Sequence, residues 1–257
     1  MKENKMKARL RDGRPSAGCF VNVPSPHIVE LIGWIGFDFV VLDCEHGIMD
    51  YQTAEHMIRA AELSDITPVV RVGLNMQQHI QRFMDAGAAG VMIPFIDSCE
   101  TAKSVVDSVK YPPVGKRGLA INRASGYGQA HTPGDYVKLA NRETFICLQI
   151  ENQEGIDNAQ DIVATEHADV IFLGPNDLSS MMGIHGQMQD PRVTNAIESL
   201  GSQALEAGKQ VGTVAADPEA FRRWSSLGFN WLIANATWFL SAQAKSYMGE
   251  IKELRQG

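Results

Sequence analysis

The sequence predicts a single-domain (β/α)8 TIM barrel, and three observations carry that prediction. Short apolar runs alternate with amphipathic stretches from end to end, which is the pattern of a parallel sheet with crossover helices. Eight such pairs are present. The chain of 257 residues, 44% hydrophobic and 21% charged, is long enough for one large core, so residues 1–257 need no division into domains.

The runs read as strands are, in order, Ala17 to Val23, Asp38 to Asp43, Thr67 to Val72, Ala89 to Pro94, Thr144 to Glu151, Asp169 to Gly174, Gln210 to Ala215 and Phe229 to Asn235. Helical periodicity follows each, over Pro26 to Ile35, Tyr51 to Leu63, Met76 to Asp85, Ser98 to Val109, Asn152 to Glu166, Pro191 to Ala207, Pro218 to Leu227 and a last stretch from Trp238. The regularity breaks once, between Lys110 and Arg142, where Tyr111-Pro112-Pro113 opens a long Gly- and Pro-rich stretch. In a compact barrel a loop of that length is usually functional or an interface. No internal repeat or low-complexity tract is present.

A formal charge of −7 disfavours nucleic acid and anionic lipid as partners. The basic cluster Lys2, Lys5, Lys7, Arg9, Arg11 and Arg14 reads as a frayed, solvated terminus. Cys19, Cys44, Cys99 and Cys147 show neither a CxxC pair nor regular spacing, as expected of free thiols in a reducing compartment. No apolar run approaches the length of a membrane span, and the N-terminus lacks a secretory stretch. A cytoplasmic protein is expected.

In this fold, chemistry sits at the C-terminal ends of the strands. Alternation over Thr144 to Glu151 puts Phe145, Cys147, Gln149 and Glu151 on one face, so its polar members gather at the strand's end. The same rim collects Asp43, Glu45, His46, Arg71 and Asp177. Each has a bland alternative: a loop histidine, a structural ion pair for Arg71, a turn cap for Asp177. Their common location favours function. Two carboxylates and an amide suit a hard divalent cation, Mg²⁺ or Mn²⁺, whereas structural zinc asks for Cys or His. Arg71 offers a forked donor for a carboxylate or an enolate oxygen, His46 a proton carrier, and Asp43 a group to orient its ring. No strand carries a lysine in its C-terminal half, which argues against a Schiff-base aldolase. Strands seven and eight lack the Gly-rich turn of a phosphate site.

Several motifs in one order resemble the HpcH/HpaI aldolases, the class II pyruvate aldolases: Phe37 to Gly47 with Asp43-Cys44-Glu45-His46, Asp85 to Pro94, Tyr111-Pro112-Pro113 with Arg117-Gly118, Gln149-Ile150-Glu151, and Gly174-Pro175-Asn176-Asp177-Leu178-Ser179. The resemblance runs from about Gly18 to about Gly186. It implies a metal-dependent aldolase that cleaves 4-hydroxy-2-keto acids to pyruvate, or hydroxypyruvate, and an aldehyde through a metal-stabilised enolate. Glu151 and Asp177 would be the metal ligands, with Mg²⁺, Mn²⁺ or Co²⁺ as the ion, and His46 the acid/base residue with Asp43 its orienter. Arg71 would contact the enolate and carboxylate, and Gln149, Gly174, Pro175 and Asn176 would line the pyruvate pocket. Asp85 would serve a neighbouring subunit's site in a homo-oligomer, a trimer or a hexamer built from trimers, with exchanged C-terminal helices.

Asn152-Gln153, Asn176 and Asn235-Ala236-Thr237-Trp238 depart from the residues usual there, which bears on the aldehyde rather than the ligand set. The competing readings are a CoA-ester lyase of the citrate-lyase type, an oxaloacetate decarboxylase using the same enolate, and a non-catalytic keto-acid-binding barrel.

Overall fold

The computed structural model describes residues 2–255, and their eight strands close into one parallel barrel in sequence order, β1 to β8. The elements run α1 (Lys5–Arg11), β1 (Ser16–Val21), α2 (Pro26–Ile35), β2 (Phe39–Asp43), α3 (Tyr51–Leu63), β3 (Thr67–Arg71), α4 (Gln77–Asp85), β4 (Gly90–Ile93) and α5 (Cys99–Val109). They continue through α6 (Pro133–Glu143), β5 (Phe145–Ile150), α7 (Gln153–Asp157), α8 (Ala159–Val163), β6 (Val170–Leu173) and α9 (Pro175–Met181). The last are α10 (Pro191–Glu206), β7 (Gln210–Val214), α11 (Pro218–Ser226), β8 (Trp231–Asn235) and α12 (Ala236–Leu254). All eight expected strands form, each within a residue or two of its expected ends.

The core has two layers. Outward strand residues such as Val40, Val70, Ile146, Leu148 and Ile171 pack against the helices, while inward ones such as Phe39, Val69, Phe145, Cys147 and Phe172 fill the barrel. Trp231 is the centre of the inner layer, stacked on Phe39 at 4.6 Å and tilted against Phe145 at 5.3 Å between ring centroids.

The expected frayed N-terminus is instead an ordered plug. Asn4 caps α1, whose Met6 and Leu10 are buried in the inner layer, and the Trp231 indole N–H points at the Met6 sulfur at 3.0 Å. An i, i+4 apolar pair on one helix face closes the N-terminal mouth, while the basic residues between them find partners outside it. Lys7, for example, pairs with Asp169 at 2.9 Å.

Two further expectations need correction. The segment after β5 is not one helix over Asn152 to Glu166 but two short ones, with Asn158 donating to the Asp97 carbonyl at 2.7 Å at their joint. The long stretch from Lys110 is not wholly irregular. It ends in α6, tied down where the buried Lys110 ammonium donates to the Asn141 carbonyl at 2.9 Å and to the Thr144 carbonyl and hydroxyl at 2.8 Å. The whole insertion follows α5 and precedes β5, so it lies at the N-terminal end of the barrel, opposite the rim where chemistry is expected.

All four cysteines are free thiols, and burial pushes Cys19 and Cys44 up to about 12, the latter with help from the Asp43 charge. Among the described residues no helix is long and apolar enough to cross a membrane. None of the α12 residues is buried in this chain, and Leu240, Tyr247 and Leu254 stand exposed along it.

Candidate active site

Parallel register brings the first pair of polar groups together. Asp43 and Arg71 are the last residues of β2 and β3 and are aligned partners in the ladder. Arg71 Nε donates to Asp43 Oδ1 at 3.0 Å and Nη2 to Oδ2 at 2.7 Å, a two-pronged, buried ion pair with the guanidinium 4.8 Å from the Phe20 ring. Asp43 Oδ1 also accepts the backbone N–H groups of Glu45 and His46, both at 3.2 Å. Burial works to raise the Asp43 carboxyl, but Arg71 and the two amides outweigh it and hold the group below its usual range.

Both Asp43 oxygens are thus bonded to Arg71, and Oδ1 also to the loop backbone that carries His46. The carboxylate nearest the ring is Glu45, whose Oε2 lies 3.8 Å from His46 Nε2 and 3.2 Å from Arg71 Nε. That oxygen is buried without a hydrogen-bond donor, because the Arg71 Nε hydrogen is already given to Asp43. Burial raises the Glu45 carboxyl, with the charges of Arg71 and His46 opposing. The Glu45 side chain is 10% exposed and His46 63%, so the histidine stands at the mouth of the site with its partner behind it.

The second group comes from β5 and the turn into α9. Gln149 and Glu151 are buried on the inner side of the rim, and the Gln149 amide nitrogen touches Glu151 Oε2. Glu151 Oε1 accepts the Phe95 N–H at 3.0 Å. Asp177 sits in the first turn of α9, where the helix's free N–H groups favour a negative charge. Burial pushes Glu151 up to about 8, and the nearby Asp177 charge adds to it. A Cβ at Gly174 would stand 3.1 Å from Glu151 Oε2 and 3.3 Å from Gln149 Nε2, so a side chain there would push these groups aside by a few tenths of an ångström. Pro175 is buried, while Asn176 is exposed and its carbonyl accepts the Ser179 hydroxyl at 2.6 Å.

These residues fit a hard divalent cation. The Gln149 Oε1 oxygen is buried without a donor, and Glu151, raised by burial and by the Asp177 charge, is a carboxyl that a bound cation would let ionise. Among the described residues no three His, Cys, Asp or Glu side chains gather at one point. An ion here would therefore be held by Glu151, Asp177, the Gln149 amide and water. Among the described residues no strand contains a lysine.

Of the residues expected at the site, Asp85 is the one this chain does not bring to the rim. It ends α4 at the opposite mouth and pairs at 2.7 Å with the buried Arg117. Asn235 ends β8, but its side-chain oxygen caps α12 by accepting from Thr237 N at 2.9 Å and Oγ1 at 2.7 Å. The sequence reading passed over Phe95. Its signal is a left-handed backbone, φ 53°, that no residue pattern announces.

A family model described as HpcH/HpaI aldolase/citrate lyase matches residues 16–234. The chain belongs to this family. A 5-keto-4-deoxy-D-glucarate aldolase of Shigella boydii serotype 18 is 37% identical over 227 residues, 87% of each chain. Among solved structures, an HpcH/HpaI aldolase/citrate lyase family protein from Burkholderia cenocepacia J2315 superposes with a TM-score of 0.91 at 29% identity, covering 97% of this chain and 99% of that one. A citrate synthase, SbnG, superposes at 0.89 with 29% identity and 98% coverage of both. The (β/α)8 barrel and the aldolase-type lyase class expected from the sequence both stand on this membership. A divalent metal is the cofactor that goes with it.

One prediction separates the two carboxylates beside His46. His46→Ala is expected to slow carbon–carbon cleavage by roughly 10²-fold, the usual loss for an acid/base group. Glu45→Gln should slow cleavage while leaving pyruvate proton exchange near wild type, because it removes the carboxylate 3.8 Å from the ring, whereas Asp43→Asn should lower both rates through Arg71. If Glu45→Gln cleaves at the wild-type rate, Glu45 is not the histidine's partner.

Proposed function

We propose that this chain cleaves a 4-hydroxy-2-keto acid reversibly to pyruvate, or hydroxypyruvate, and an aldehyde. The observation that carries the reading is one rim holding the buried Glu151 and the half-buried Asp177 carboxylates beside a two-pronged Arg71, on strands without lysine. The dicarboxylate sugar acid of the Shigella relative's name belongs to this substrate class. A divalent cation held there would polarise the 2-keto oxygen. Glu151 and Asp177, with the Gln149 oxygen, would hold it.

The chain's own residues account for the rest. Arg71, fixed along its Nε and Nη2 edge by Asp43, presents its remaining N–H groups to the substrate carboxylate and to the oxygen that gains charge. His46 takes the proton of the 4-hydroxyl as the C3–C4 bond breaks. The bond's electron pair passes into the keto acid as an enolate, and the aldehyde leaves through the open mouth where His46 stands. His46, now protonated, returns that proton to C3 and gives pyruvate. Gly174, Pro175 and Asn176 line the pyruvate side, and Trp238, at the start of α12, lies towards the aldehyde.

We also place the protein in the cytoplasm on its free thiols. We read it as a homo-oligomer in which α12 packs on another copy and Asp85 approaches a neighbouring site. The test is a panel of aldehydes offered with pyruvate and with hydroxypyruvate to chelator-treated enzyme, restored with Mg²⁺, Mn²⁺ or Co²⁺. Activity is expected only after a cation is returned. Full activity in excess EDTA, or condensation with acetyl-CoA in place of aldehydes, would reject the reading.

A further inference from the structure

We infer that Phe95 is a positioning residue whose left-handed backbone holds Glu151 ready for the cation; this rests on the reading of Glu151 as a metal ligand. Phe95 follows β4 at the rim with φ 53°. An aromatic residue rarely adopts this region, and strain of this kind persists where the surroundings over-determine it. Here two hydrogen bonds do so. The Phe95 N–H donates to Glu151 Oε1 at 3.0 Å, and the next N–H, of Ile96, donates to the Gln149 carbonyl at 3.0 Å.

Successive N–H groups in extended chain point to opposite sides, so they cannot both reach one neighbouring strand end. The left-handed turn at Phe95 brings them to the same side. One bond fixes the end of β5, and the other fixes the carboxylate that projects beyond it. With Oε1 held from the β4 side, Oε2 is left towards Gln149 and Gly174, the side on which Asp177 lies. The ring itself, 54% exposed, is not what the clamp uses. The inference concerns the backbone at 95, not the aromatic side chain.

The test compares residues that tolerate a left-handed backbone with one that resists it. Phe95→Gly and Phe95→Asn keep the conformation, whereas Phe95→Val, β-branched, resists it. Each chelator-treated variant is titrated with Mn²⁺ alone by calorimetry, without substrate, and its metal-free melting temperature is recorded. Gly and Asn are expected to bind Mn²⁺ within about threefold of the wild type. Val should bind about tenfold or more weakly, because its β-branched side chain resists the left-handed backbone. If Val does not fold, the Gly and Asn variants decide. A tenfold loss in both, or wild-type affinity in Val, overturns the inference. A Glu151→Gln arm separates the two levels: wild-type Mn²⁺ affinity there rejects Glu151 as ligand, while a loss there with none in Val rejects only the clamp.

Discussion

Glu151→Gln is expected to abolish tight cation binding at neutral pH and, in the same protein, to stabilise the metal-free fold in alkaline solution. Both effects follow from one shift. Burial raises the Glu151 carboxyl from its ordinary 4.5 to about 8, with Asp177 adding to it and the Phe95 N–H opposing. The folded state therefore holds this proton more tightly than the unfolded chain does. In the metal-free protein, the group's contribution to stability is fully present below pH 4.5 and is lost progressively as pH rises towards 8.

Cation binding works in the other direction, because a ligand carboxylate must release its proton. Affinity should rise about tenfold per pH unit up to roughly 8 and level off above it. Glutamine removes the titration, so the metal-free melting temperature should stop falling across that window and the residual affinity should lose its slope. Asp177→Asn makes a different signature. It weakens binding by losing a ligand, yet it removes a like charge, so the affinity curve should level off at lower pH. Melting curves in EDTA and Mn²⁺ calorimetry between pH 5.5 and 9 read all four. A Glu151→Gln protein that keeps wild-type affinity and slope would remove Glu151 from the ligand set.

What the sequence disclosed, and what it hid, follows the range of the interactions involved. The barrel was legible because each strand is a local apolar run, and strand alternation alone put Phe145, Cys147, Gln149 and Glu151 inside. Register did the rest for Asp43 and Arg71, which occupy matching strand ends. The α1 plug was not legible, because its two apolar residues sit among lysines and arginines and only the barrel mouth gives them a place to go. The surroundings of His46 were hidden for a similar reason. Asp43 is three positions away, as a ring-orienting residue would be, but a guanidinium from the next strand competes for both its oxygens and wins by charge and geometry. Phe95 was invisible because its contribution is a backbone angle, dictated by where β5 ends rather than by its own side chain.

Arg71→Ala should suppress enolate formation itself, before any aldehyde is involved. The guanidinium is anchored on its Nε and Nη2 edge by Asp43, with Glu45 Oε2 3.2 Å from Nε, so its orientation is set before substrate arrives. Burial acts to lower the Arg71 pKa, but the hydrogen bonds and charges of Asp43, Glu45 and Glu151 raise it on balance, so the site keeps its positive charge. Exchange of the pyruvate methyl protons with solvent isolates this step, and removing one preorganised donor to a developing oxyanion costs roughly 10²- to 10³-fold. Arg71→Lys should recover little, since one ammonium cannot hold both Asp43 oxygens and still reach a substrate oxygen. The alanine variant also leaves a buried carboxylate unpaired, a loss of about 3–5 kcal/mol that would lower activity through unfolding alone. Asp43→Ala/Arg71→Ala distinguishes the two causes, because with both charges gone much of the stability should return while proton exchange stays lost. Normal exchange in either variant, measured well below its melting temperature with saturating cation, would remove Arg71 from the chemistry and leave it the structural partner of Asp43.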